Sequence, residues 1–163
     1  GTTAQDQGAQ QAEQYLKSQE GRIKELEKTL AANPTDPNAL FEIGETYMTG
    51  KSWENAISWF TKLLKVEPTN LHALTDVGTA TMNLGRYTEA VTAFAQVLAI
   101  DPGDIQAHYN MGFLYAFRTD APDLDQALKH WQEVIRLSPD SELAKVAQVH
   151  IDQFKPSESA PGK

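Results

Sequence analysis

The chain has 163 residues, 22 acidic and 14 basic, for a net charge of −8, and it contains no cysteine. That length supports a domain with a substantial core, while the acidic balance argues against a nucleic-acid backbone as partner, which needs clustered Lys and Arg. Thiol chemistry, disulfides and thiolate metal sites are excluded, with the compartment left open, and no apolar run approaches the roughly 18 residues that span a bilayer.

Residues 1–11, GTTAQDQGAQQ, are small and polar without periodicity and read as disordered or as a stalk. The chain opens on Gly1 rather than Met and has no signal-peptide pattern, so a processed fragment is expected, with any targeting segment cut away. A helix is predicted over 12–33, because Ala12, Tyr15, Leu16, Ile23, Leu26 and Leu30 recur at three/four spacing. Gly21 interrupts it, at a cost of about 1 kcal/mol relative to Ala, and Pro34 ends it. The same stripe would also serve a short coiled coil.

An array follows over 37–141, written three times as 37–70, 71–104 and 105–141. Gly44, Gly78 and Gly112 stand 34 residues apart, as do Pro34, Pro68 and Pro102. Ala56 and Ala90, and Phe60 and Phe94, keep the same step, after which Ala127, Trp131 and Pro139 follow at 37. Each copy reads as helix, short turn, helix. A glycine inside a helix is costly, so its recurrence implies close backbone approach. The expectation is that each glycine faces the small Ala56, Ala90 or Ala127, with Phe60, Phe94 and Trp131 plugging the space between neighbouring pairs. One helix pair cannot bury its apolar face alone, so the copies must stack. The third copy has a longer turn from Phe117 to Asp125, where Pro122 is expected to open the second helix. Residues 142–154 form a further amphipathic helix with Leu143, Val146, Ala147, His150, Ile151 and Phe154 on one stripe, and the tail 155–163 is left disordered.

The recurring residues resemble the tetratricopeptide repeat (TPR). Copy one matches with Leu40, Ile43, Gly44, Tyr47, Ala56, Phe60 and Pro68. Copy two matches with Leu74, Val77, Gly78, Ala90, Phe94 and Pro102, and has Thr81 where the family prefers Tyr. Copy three matches with His108, Met111, Gly112, Tyr115, Ala127, Trp131 and Pro139. The resemblance implies an all-α fold, a right-handed α-solenoid of three helix pairs, with a helix before them and a capping helix after. The polar start also resembles bacterial proteins in which a membrane anchor and stalk precede a short TPR array. On that reading the domain is either cytoplasmic or the soluble part of a tethered protein.

In this family the first helices line a concave groove. Carried over position by position, the resemblance implies a peptide site at Asn38, Phe41, Glu42, Glu45 and Met48, then His72, Thr75, Asp76, Thr79, Met82 and Asn83, then Gln106, Tyr109, Asn110, Phe113 and Phe117. Phe41, Met48, Met82, Tyr109, Phe113 and Phe117 put apolar bulk where solvent is expected. Either they bind a partner, or they pack on one another, under the N-terminal helix or under the long turn; the first is favoured. On that basis Tyr109 and Phe113 are open to alanine substitution without loss of helix. The family's carboxylate clamp for acidic chaperone C-termini falls on Phe41, Glu45, Asp76, Gln106 and Asn110, two of them acidic. An acidic peptide is therefore disfavoured and an apolar or basic segment preferred.

No catalytic, metal or cofactor role is assigned. Glu42, Glu45 and Asp76 read as a solvated or partner-facing surface, and His72, His108, His130 and His150 show no zinc spacing. Trp53 and Trp131 take core positions, and Trp59 has no functional account. The function expected is a non-catalytic adaptor. The alternative is an assembly module that self-associates through the N-terminal helix or the open ends of the stack.

Overall fold

The computed structural model describes residues 3–154, so Gly1, Thr2 and the tail 155–163 lie outside the described residues. Among the described residues there are eight helices and no strand, and the all-α fold class holds. They are α1 (Ala4–Ala32), α2 (Pro37–Thr49), α3 (Trp53–Val66), α4 (Leu71–Asn83), α5 (Tyr87–Ile100), α6 (Ile105–Phe117), α7 (Leu124–Leu137) and α8 (Glu142–Phe154). Two compact units meet inside α5, the first ending at Ala93 and the second starting at Phe94.

α1 begins eight residues before the position that apolar periodicity predicts. Thr3 and Asp6 close a capping box: the Asp6 amide donates to Thr3 Oγ1 at 3.2 Å and the Thr3 amide to Asp6 Oδ2 at 2.9 Å. Two orphan amides are thus satisfied reciprocally, and the Ala- and Gln-rich run behind them needs no apolar stripe to stay helical. Farther along, Ile23 and Leu26 are buried, and Leu16 lies over Gly50, where a Cβ would come within 2.4 Å of it.

The first helix of each repeat starts in the same way. Asp36, Asn70 and Asp104 are N-caps whose side chains accept from the Ala39, Ala73 and Ala107 amides at 2.9, 3.0 and 2.7 Å. Each cap is worth about 1 kcal/mol. The turns close alike too: the Ser52 amide donates to the Tyr47 carbonyl, Arg86 to Thr81 and Asp123 to Tyr115, all at 2.9 Å. The longer third turn therefore bulges outward and re-enters the same register. Asp123, not Pro122, caps α7, with its side chain accepting from the Gln126 amide at 3.0 Å, so Pro122 stands before the helix. Gly85 takes a left-handed φ of 74° in the second turn, and Lys51 carries φ 52° at the matching place in the first.

In the first unit α1, α2, α3 and α4 pack in chain order around Leu40, Ala56, Phe60, Leu63 and Ala73, with Leu26 of α1 clustered with Ala39 and Ile43 of α2. In the second, α6, α7 and α8 enclose Ala127, Trp131, Val134, Ala144, Ala147 and Ile151. In the first and third repeats a ring, and not the expected alanine, comes nearest to the recurring glycine. A Cβ on Gly44 would come within 2.7 Å of the Phe60 ring, and one on Gly112 within 2.5 Å of Trp131 Nε1. The small residue thus seats the aromatic of its own repeat's second helix, and the absent side chain is the space the ring fills. Truncating such a fully buried ring costs about 3–5 kcal/mol. Trp59 also has a structural account: it packs against the Leu26, Ala39 and Ile43 cluster and carries the Lys62 ammonium 3.7 Å over its ring.

Two helical glycines should therefore respond with opposite sign. Gly21 has nothing within 4 Å of a built Cβ, so Gly21→Ala should stabilise by up to about 1 kcal/mol. Gly112→Ala gains the same propensity but overpacks Trp131, for a net loss of about 1–2 kcal/mol that shrinks in a Trp131→Leu background. Thermal or urea denaturation of the four variants checks both signs and the coupling.

Candidate peptide-binding face

Each unit carries its own share of the residues assigned to the groove. In the first unit, α2 contributes Asn38, Phe41, Glu42, Glu45 and Met48, and α4 contributes His72, Thr75, Asp76, Thr79, Met82 and Asn83. The N-caps at Asp36 and Asn70 set the start of both helices, which fixes the register of these side chains.

Glu45, His72 and Asp76 come together. His72 Nε2 lies 3.5 Å from Glu45 Oε1 and 3.3 Å from Asp76 Oδ2. The Phe41 ring stands edge-on to the His72 imidazole at 4.9 Å and to Phe60 at 6.0 Å. Asp76 is the most enclosed of the three, its side chain 17% exposed against 39% for Glu45 and 59% for His72. Its Oδ2 is sealed from solvent and no hydrogen bond satisfies it. Burial, together with the Glu45 carboxylate beside it, pushes Asp76 up to about 8.

The neighbouring positions are already engaged. Glu42 accepts a two-pronged bond from Arg22 of α1, Nε to Oε1 at 2.6 Å and Nη2 to Oε2 at 2.8 Å. That pairing holds Glu42 below the usual carboxylate range and ties α1 to α2. Nothing in the local pattern around Arg22 announces it, since twenty residues separate the pair. The Thr79 hydroxyl donates to the Thr75 carbonyl at 3.0 Å and the Asn83 amide to the Thr79 carbonyl at 2.8 Å. Met48 and Phe41 pack on the rim of the first unit's core, Met82 is half-buried, and Asn38 is exposed.

In the second unit α8 packs against the aromatic positions of α6, leaving Tyr109 and Phe113 half-buried and Phe117 42% exposed. Tyr109 Oη lies 3.2 Å from His150 Nε2, and burial raises the tyrosine's pKa. Phe113 and Phe117 meet the His150 ring at 6.4 and 5.7 Å, and Phe117 meets Phe154 at 5.7 Å. His150 itself stacks on Trp131 at 4.8 Å. Asn110 is buried, and the exposed Gln106 amide reaches its Oδ1 at 3.4 Å. Tyr109→Ala and Phe113→Ala therefore remove packing from beneath α8, unlike a change to a free surface. His150 was visible only as one member of an amphipathic stripe, and its partners lie as far as 41 residues back. His108 is half-buried: its Nε2 meets the Pro102 carbonyl at 3.0 Å and its Nδ1 meets His130 Nδ1 at 2.9 Å. Because a carbonyl only accepts, His108 Nε2 donates to it, and in the neutral pair His130 Nδ1 then donates to His108.

A TPR model matches residues 78–116 and a tetratricopeptide-repeat model matches residues 23–70. The chain is a tetratricopeptide-repeat protein. Among solved structures, this TPR chain is similar to MamA, at 20% identity over 93% of this chain and 86% of that one, with a TM-score of 0.71. It is similar to YrrB, described as a TPR protein with an unusual peptide-binding site, at 24% identity over 85% and 71%, TM-score 0.68. It is also similar to the first TPR of Spaghetti (RPAP3) bound to the HSP90 peptide SRMEEVD, at 23% identity over 72% and 90%, TM-score 0.64. At these identities the likeness is one of fold. No curated protein matches the sequence significantly.

The state of Asp76 makes stability depend on pH in an unusual sense. Between its ordinary value of 3.8 and about 8, the folded chain keeps a proton on Asp76 that the unfolded chain has lost. Stability from this residue is therefore highest near pH 4 and falls as pH rises towards 8. Asp76→Asn mimics the neutral acid and should raise stability by about 1–2 kcal/mol at pH 8, a figure held below full linkage because Glu45 is solvent-screened. The gain should vanish near pH 4, as thermal melts across that range will show.

Proposed function

We propose that this TPR protein is a non-catalytic interaction module that holds a basic or apolar peptide segment on the face built by α2 and α4. The observation that carries this is the pair Glu45 and Asp76, two carboxylates brought together beside the Phe41 ring, with His72 as the basic group that approaches them. A Lys or Arg side chain entering there would meet opposite charge at close range while its alkyl stem lies along an aromatic edge. The peptide sites of YrrB and of the Spaghetti repeat support a peptide as the kind of ligand. An acidic C-terminus like SRMEEVD fits this chain poorly, because Glu45 and Asp76 stand at clamp positions where cations are needed.

A second reading is self-association. It is favoured by α8, whose Val146 and Val149 are 43% and 57% exposed on the side away from Ala147 and Ile151. An apolar strip of this kind on the last described helix suits a further helical layer or a second copy.

Peptide display against the immobilised chain separates these readings. Selected sequences should carry Lys or Arg beside apolar residues. Glu45→Lys should weaken them at least about tenfold, and added salt should do so by screening. Selection of acidic peptides, or binding indifferent to Glu45→Lys in a chain with unchanged helical CD, would defeat the peptide reading. Sedimentation equilibrium tests the other: mass should rise with concentration and return to that of the monomer on Val149→Asp.

A further inference from the structure

The Glu45, His72 and Asp76 triad has a geometry that a peptide site does not require. His72 and Asp76 are four apart on α4, the spacing that sets two ligands on one helical face. Glu45 reaches the same point from α2. One ligand atom from each residue lies within 4.8 Å of the other two.

We propose that Glu45, His72 and Asp76 bind a divalent first-row transition ion of the Zn2+ type. Ligands about 2.0–2.2 Å from a tetrahedral ion stand about 3.3–3.5 Å apart. His72 Nε2 is 3.3 Å from Asp76 Oδ2 and 3.5 Å from Glu45 Oε1, so two edges of such a tetrahedron are already in place. The remaining edge, between the carboxylate oxygens, lies within the 4.8 Å that bounds the set. Asp76 Oδ2 is sealed from solvent yet accepts no hydrogen bond, which is costly for a carboxylate oxygen and is what a metal bond would offset. The charges agree once the ion displaces the proton that folded Asp76 holds at neutral pH, since two carboxylates then balance a dication. An imidazole in the set selects a transition ion over Ca2+ or Mg2+, which prefer all-oxygen shells. The Phe41 ring, edge-on at 4.9 Å, restrains the imidazole, and the exposed side of His72 leaves the fourth position to solvent.

This inference does not depend on the peptide reading, although a metal and a basic side chain would compete for the same carboxylates. The probe is therefore the metal alone. Calorimetric titration with ZnCl2 at neutral pH, with thermal melts alongside, should give one bound equivalent and a raised Tm, with MgCl2 far weaker. His72→Ala, at an exposed position, and the near-isosteric Glu45→Gln should each lower the affinity at least about tenfold while leaving the metal-free melt close to wild type. His108→Ala should leave Zn2+ binding unchanged. Absence of Zn2+ binding, or binding that survives His72→Ala or depends on His108, would overturn the assignment.

Discussion

The seating of a second-helix aromatic on a first-helix glycine is the contact on which the first and third repeats depend. Gly44 under Phe60 and Gly112 under Trp131 leave no room for a methyl group. The helix gives up roughly 1 kcal/mol of propensity at each glycine. It regains more by burying a ring completely, since loss of such a ring costs about 3–5 kcal/mol. The glycine is therefore a negative imprint of the aromatic. It brings the two helices of a pair close enough for Ala56 or Ala127 to be fully buried beside the ring.

With that contact made, caps and turns determine what each helix presents. Asp36, Asn70 and Asp104 begin their helices at the same register, and the Ser52, Arg86 and Asp123 amides close the turns at the same carbonyl position. The three extra residues in the last turn are absorbed outside this frame. Equivalent positions on α2, α4 and α6 thus start out equivalent, and they diverge through their neighbours. On α2 and α4 the neighbours are a second carboxylate and an imidazole, which leave charge to be balanced. On α6 they are His150 and Phe154 of α8, which use the same positions as packing.

The two outcomes make different chemical statements. A buried carboxylate next to another, short of hydrogen bonds, is a group whose state depends on what comes to it: a proton, a basic side chain or a metal ion. An aromatic cluster under a helix has its partner already. Glu42 belongs with the second kind, because Arg22 neutralises it from α1. The acidic character counted at Glu42, Glu45 and Asp76 in the sequence thus reduces to a local pair.

The sequence by itself determined the helix pairs, their three-fold repetition and the last helix at Glu142–Phe154, because period and punctuation are local properties that 34-residue recurrence makes redundant. It also placed Ala56, Phe60, Ala127 and Trp131 in the core, where all four are fully buried. It missed the start of α1 at Ala4, where a capping box and good helix formers act without apolar spacing. It set the glycines against alanines instead of the rings, since spacing along one helix does not say which residue of the next lies opposite. Only the tertiary structure decided which acidic and aromatic positions are engaged. Arg22 with Glu42, Tyr109 with His150 and Glu45 with Asp76 are contacts between helices, and the forces that join them depend on distances that the order of residues along the chain does not contain.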